Sequence, residues 1–262
     1  MSNDIQNKRQ FMRSIFFTIM LIFSCILLLS CERKVLKPLG SGVVISFDDA
    51  YVDEWFDADK VLKKYSWKAT FCVCKIDSLG EPQIKKLLQL QSEGHEIAGH
   101  GYHHYNAVNF VKKYGTDAYI KQEINPMIDA MKKHSFAVSS FAYPYGERSD
   151  ALDSALTAKF KIIRGRAFCA DIPEKEGCYF RNSKYMYAFD VDNSHIHFSI
   201  PYLLKLLDNA KKNKKILILC CHKPVKNVTK NYQIKIETLE FICKYMKQNN
   251  LNFYTLSDLA KQ

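Results

Sequence analysis

Gly42-Val43-Val44-Ile45-Ser46-Phe47-Asp48-Asp49 is the stretch from which the rest of the chain is read. Residues 43–47 form a short, apolar, β-branched run, the pattern of a strand buried on both faces, and the run breaks off at two adjacent carboxylates. Runs of the same kind recur at 69–74, 96–98, 139–143, 161–164, 187–191, 216–221 and 253–256. Between them lie helical patterns at 55–65, 83–93, 116–134, 150–159, 200–212 and 232–249. Strands alternating with helices predict a parallel sheet covered by helices. Seven or eight strands in one domain predict that this sheet closes on itself. The expected fold class is therefore α/β, a distorted (β/α) barrel of about seven strands in a single domain, with no internal repeat or low-complexity segment.

The composition suits such a core. Of 262 residues, 47% are apolar and 25% charged, which excludes a disordered chain. The net charge is +11, but much of the excess lies in runs such as Lys211, Lys212, Lys214 and Lys215 at an expected helix end, where cations complement the helix dipole. Arginines and aromatics are not interleaved on one surface, so no nucleic-acid partner is expected. The N-terminus reads as an address. Lys8, Arg9 and Arg13 precede an apolar run over 15–29, too short to span a bilayer comfortably, and the run ends at Ser30 and Cys31. Leu28-Leu29-Ser30-Cys31 resembles a bacterial lipobox. This predicts a lipoprotein signal peptide over 1–31 with lipidation at Cys31, a short tether over 32–41 and a catalytic domain over 42–262. The protein is accordingly expected to be exported and lipid-anchored to a cell envelope membrane.

Of the nine cysteines, Cys25 and Cys31 fall in this segment, and the remaining seven cannot all pair internally. Cys72, Cys74, Cys220 and Cys221 lie in strand-like runs as small core residues. Cys169 and Cys178 lie in a loop-like stretch, where an oxidising compartment would permit a disulfide.

The barrel expectation brings chemistry to one rim, because side chains at the C-terminal strand ends share a face. Asp48 and Asp49 follow the first strand, His100 and His104 the third, Pro144 and Tyr145 the fourth, and His222 a late one. Adjacent carboxylates point in different directions, so one can bind a cation while its neighbour takes a proton. His100 and His104 are four apart, a spacing with which one helical turn would present both imidazoles to one ion. With an aspartate they make a His-His-Asp set that leaves positions open for water and substrate.

Ser46-Phe47-Asp48-Asp49, Gly94-His95-Glu96-Ile97-Ala98-Gly99-His100 through His104, Tyr143-Pro144-Tyr145-Gly146 and Leu219-Cys220-Cys221-His222 together resemble the ordered motifs of the polysaccharide deacetylase family, also called the NodB-homology domain or carbohydrate esterase family 4. The resemblance spans roughly residues 42–259. It implies a metal-dependent hydrolase that removes N-acetyl groups from an amino-sugar polysaccharide of the envelope or extracellular matrix. It also implies Asp49, His100 and His104 as ligands of one divalent ion, zinc in first place with cobalt or nickel as alternatives. Asp48 is then the general base, the backbone N–H of Tyr145 an oxyanion donor, and His222 the acid that protonates the leaving group.

Three departures from the family pattern stand out. Ala50 and Tyr51 follow the aspartates where the family usually has glycine, and Ala142 stands where an arginine often partners the base. The element supporting the acid histidine is reduced to Phe189-Asp190-Val191-Asp192, with Asp190 or Asp192 as the helper. An O-acetyl esterase acting on a polysaccharide and a non-catalytic glycan-binding lipoprotein are the competing readings.

Overall fold

The computed structural model describes Met12, residues 39–167 and residues 172–261. The chain divides into Met1–Lys37 and Pro38–Gln262, and the second unit holds the whole of the fold described below. Seven parallel strands succeed one another around it: β1 (Gly42–Asp49), β2 (Thr70–Val73), β3 (Glu96–Gly99), β4 (Ser140–Ala142), β5 (Ile162–Arg166), β6 (Tyr185–Asp190) and β7 (Ile216–Cys221). β7 pairs back with β1, Gly42 opposite Ile216 through Phe47 opposite Cys221, and the sheet closes as a barrel. The opposite edge of β1 is shared. Its end pairs with β2 over Ser46–Asp49, and its beginning with β10 (Asn252–Tyr254) over Gly42–Val44. Gly42 permits that approach, since a Cβ there would lie 2.3 Å from the Asn252 carbonyl oxygen.

All eight strands expected from the sequence are present. The helices are α1 (Val52–Leu62), α2 (Glu81–Ser92), α3 (Ala107–Tyr114), α4 (Thr116–Tyr119), α5 (Asn125–Lys133), α6 (Asp150–Leu156), α7 (Ile200–Lys212), α8 (Ile236–Gln248) and α9 (Leu256–Leu259). The segment expected as one helix over 116–134 is α4 and α5 joined by a π-turn at Ile120–Ile124. Pro126 explains the irregularity, because it has no N–H to continue the ladder. The helix expected over 232–249 begins only at Ile236, and Gln233–Lys235 is instead a short strand, β9, paired with β8 (Lys223–Val225).

Alternation along the strands sorts the side chains. Val44, Cys72, Ala98, Ala142, Ile162, Met186, Ala188, Ile218 and Cys220 form an inner cluster within the barrel, all of them even-numbered. Val43, Ile45, Phe47, Phe71, Ile97, Phe141, Ile163, Phe189, Leu217 and Leu219 face the helices. The period of two is the pleat of a strand, and the outer face carries the large residues that bury the helices. The inner face is built mostly of Ala and Cys at mid-height. At the floor, Glu96 accepts hydrogen bonds from Ser140 Oγ at 2.6 Å, Thr70 Oγ1 at 2.9 Å and the Ser257 N–H at 2.9 Å, while Leu256 and Leu259 of α9 pack beneath.

Apart from Met12, the expected signal peptide, Cys31 and the expected tether up to Pro38 lie outside the described residues, as does Cys169 of the disulfide considered above; Cys178 is buried. Among the described residues no helix is long and apolar enough to cross a membrane.

Candidate active site

The inner-face rule that fills the barrel also supplies its mouth. Continuing the even-numbered series upward gives Asp48 on β1, His100 just past β3, Arg164 on β5, Asp190 on β6 and His222 just past β7. All five line one cavity of about 290 Å³, together with Asp49 and His104. Asp49 is odd-numbered and would face the helices in a regular strand. It reaches the cavity because the backbone turns left-handed there, at φ 85°, a conformation asparagine and aspartate tolerate better than most residues.

Asp49 Oδ1 lies 3.2 Å from His104 Nε2 and 3.7 Å from His100 Nε2, and the two imidazole nitrogens are 3.2 Å apart. Donors held about 2.0–2.1 Å from one tetrahedral zinc would be spaced by about 3.3–3.4 Å, so the three atoms fit around a single cation. The chemistry of the set agrees. His100 Nδ1 is 2.9 Å from the Ala142 carbonyl oxygen, which can only accept, so the proton sits on Nδ1 and Nε2 offers its lone pair to the cavity. Burial, helped by His104, lowers the His100 pKa to about 4 and keeps that ring neutral. The thiol of Cys74, buried as expected of a core residue, also comes within 4.8 Å of the Asp49 and His104 donor atoms.

The two histidines do not meet across a helical turn, as their spacing had suggested. Residues 100–106 form a loop, and His104 is at φ 68°. A left-handed residue reverses the chain locally and brings its imidazole back over His100.

Asp48 is 5% exposed, and Arg164 reaches it with Nη2 donating to Oδ1. Burial works to raise the Asp48 pKa; the Arg164 guanidinium, aided by His100 and His222, overrides that and holds it at about 2. Sequence reasoning did not single out Arg164. Its position explains the missing arginine at 142, because Ala142 of β4 and Arg164 of β5 are directly paired residues on the same inner face. The cation thus reaches Asp48 from β5 rather than from the expected position on β4. The small side chains of Cys72, Ala142 and Cys220 leave the interior open enough for it to extend to Asp48.

On the opposite wall, His222 Nδ1 lies 2.5 Å from Asp192 Oδ2, and the His222 N–H donates to Asp192 Oδ1 at 3.2 Å. Trp55 Nε1 donates to the His222 carbonyl at 2.9 Å and holds the backbone from outside the barrel. Burial would lower the His222 pKa, but Asp192 and Asp48 raise it to about 9, so the ring is a cation at neutral pH. Of the two aspartates considered as helper, Asp192 makes this contact. Asp190 accepts the Asp192 N–H at 2.9 Å, and burial together with Asp192 raises its pKa to about 6. Two exposed tyrosines flank the opening. The Tyr145 ring lies 4.8 Å from that of His104, and the Tyr232 ring 5.0 Å from that of His222. Tyr145, at φ 63°, lies inside the turn Pro144–Gly146, where the Gly146 N–H donates to the Tyr143 carbonyl at 2.9 Å.

Comparison with known proteins gives this arrangement its context. A sequence profile described as Polysaccharide deacetylase matches residues 37–161. No curated protein matches the chain. Among solved structures, it is similar to a carbohydrate esterase family 4 esterase from Streptococcus mutans, with a TM-score of 0.57 and 18% identity over 82% of this chain and 86% of that one. It is similar to the catalytic domain of a peptidoglycan N-acetylglucosamine deacetylase from Eubacterium rectale, with a TM-score of 0.54 and 14% identity over 87% and 93%. A family 4 acetyl xylan esterase from Clostridium thermocellum, in complex with a cobalt ion, gives 0.53 and 18% over 84% and 90%. At these identities the structural likeness speaks for the fold alone. Residues 37–161 thus match the sequence profile of the polysaccharide deacetylases, and the barrel as a whole shares the fold of these carbohydrate esterase family 4 structures.

Proposed function

We propose that this protein is a metal-dependent hydrolase that removes N-acetyl groups from an amino-sugar polysaccharide. The observation that carries the reading is the cavity in which the donor atoms of Asp49, His100 and His104 lie within 3.7 Å of one another beside an ionised carboxylate and a protonated imidazole. Asp49, His100 and His104 would hold the cation, zinc being the first candidate and cobalt or nickel the alternatives. Bound there, it would polarise the acetyl carbonyl and make a water acidic enough to attack near neutral pH.

The remaining steps fall to the chain itself. Asp48, kept ionised by Arg164, takes the proton of the attacking water as general base. The backbone N–H of Tyr145 faces the developing oxyanion as a donor. His222, its proton secured by Asp192, passes it to the departing nitrogen. That last feature favours the amide over the ester, because an amine leaves only when protonated.

The test is acetate release from N-acetylglucosamine oligomers by the zinc- or cobalt-loaded protein. Absence of release from any acetylated glycan, with metal bound, would overturn the proposal. An O-acetyl esterase would be recognised by faster release from an acetylated xylan. The non-catalytic reading was motivated by the alanine at 142 and by the reduced element supporting the acid histidine; the Arg164–Asp48 and Asp192–His222 contacts speak against both motives. The apolar run and lipobox ending at Cys31 support placement of the enzyme on an envelope membrane through a lipid anchor, facing acetylated polysaccharide there. Cys31→Ala should then move the protein from the membrane to the soluble fraction.

A further inference from the structure

Glu123 is fully buried, and among the described residues no lysine or arginine pairs with it. A buried carboxylate is costly unless hydrogen bonds replace its hydration. Here the donors all come from one place. Oε2 accepts the His103 N–H at 2.8 Å and stands 3.1 Å from His103 Nδ1, while Oε1 accepts the Tyr105 N–H at 3.0 Å. The two oxygens thus grip the amides immediately before and after His104, the residue at φ 68° whose Nε2 lies 3.2 Å from both Asp49 Oδ1 and His100 Nε2.

Two further observations tie the grip to the loop's shape. Gly101, at φ 90°, lies directly against the same carboxylate, where a Cβ would come within 2.5 Å of Glu123 Oε1. Glu123 itself sits in the π-turn Ile120–Ile124, and such turns widen a helix by one residue and re-aim a side chain. The helix is irregular at the residue that reaches the loop.

From this geometry we infer that Glu123 is the positioning residue of the metal centre, holding His104 in its left-handed conformation so that its imidazole converges with Asp49 and His100. The inference rests on the proposed metal site. Carboxylate partners one shell out from a metal typically carry about 10- to 100-fold in affinity. Without Glu123 the His103 and Tyr105 amides lose their acceptor, and residue 104 relaxes toward right-handed backbone, which carries the ring out of the ligand set.

The test measures cobalt affinity of the full chain by competition with a chromophoric chelator, together with the visible spectrum of the bound ion. Glu123→Ala and the isosteric Glu123→Gln, whose amide NH2 cannot accept from a backbone N–H, should weaken binding about 10- to 100-fold and alter the cobalt spectrum. Met131→Ala, a cavity in the outer core beneath the same helix, serves as a control for destabilisation alone. It should lower the melting temperature and leave affinity and spectrum as in the parent. Should Glu123→Ala fail to fold, Glu123→Gln decides. Parent-like affinity and spectrum in the Glu123 variants would overturn the inference. A parent protein that binds no cobalt would instead overturn the metal site on which it rests.

Discussion

Replacing Arg164 by alanine removes the cation that makes a buried, ionised Asp48 tolerable. The magnitude follows from two directions. The Asp48 pKa is held at about 2 against an ordinary value of 3.8, which corresponds to about 2–3 kcal/mol favouring the folded, charged state. Because the folded value is depressed, that stabilisation is present above pH 3.8 and is lost as pH falls through about 2. Removing one member of a buried pair costs more, about 3–5 kcal/mol, since the partner is left uncompensated. For a domain of this size that is a fall of about 6–20 °C in melting temperature. With the guanidinium gone, burial is opposed only by His100 and His222, and the Asp48 pKa rises. The acid limb of kcat/KM should then move to higher pH.

The barrel supplies its own rescue. Because Ala142 pairs with Arg164 and faces the same interior, Ala142→Arg in the Arg164→Ala background should return a guanidinium to Asp48. It should recover both the melting temperature and the acid limb. The assays are thermal unfolding followed by circular dichroism and a pH–rate profile of acetate release. An Arg164→Ala protein with parental melting temperature and an unmoved acid limb would refute the reasoning.

Asp48→Asn should bind cobalt or zinc as the parent does while losing about 10²–10⁴-fold in kcat, as measured by single-turnover acetate release. His222 is raised from 6.5 to about 9, so its stabilising interactions are complete below pH 6.5 and lost as pH rises through about 9, and acetate release should decline over that alkaline range. Asp192→Asn should bring the alkaline limb down toward neutrality; an unmoved limb would separate His222 from proton delivery. Chelation should lower the melting temperature and zinc restore it, by about 2.7 kcal/mol at a concentration one hundred times the dissociation constant.

Most strands were readable as compact apolar runs bounded by polar or turn residues, and the rim residues because they stand at the ends of those runs. What escaped was long-range or degenerate. Arg164 could be seen only as the last residue of an expected strand, since nothing in the linear order says that β5 faces β1 across the interior. The interval from His100 to His104 fits a helical turn and a left-handed loop equally well, and the choice is made by Glu123, nineteen residues beyond His104 on another element. Asp190 and Asp192 share a spacing too, and they separate only because β6 ends at Asp190, leaving Asp192 in the turn beneath His222. The π-turn, the late start of α8 and the β8–β9 pair follow from local backbone choices that periodicity does not register.

Glu96 and its hydroxyl and amide partners stopper the barrel at the end away from Asp49, His100 and His104. A vessel closed below has one doorway. In the proposed reaction, the acetate set free at the bottom of the cavity must depart by the route through which the acetyl group arrived. The polymer would therefore have to lift away or slide before the next turnover could begin.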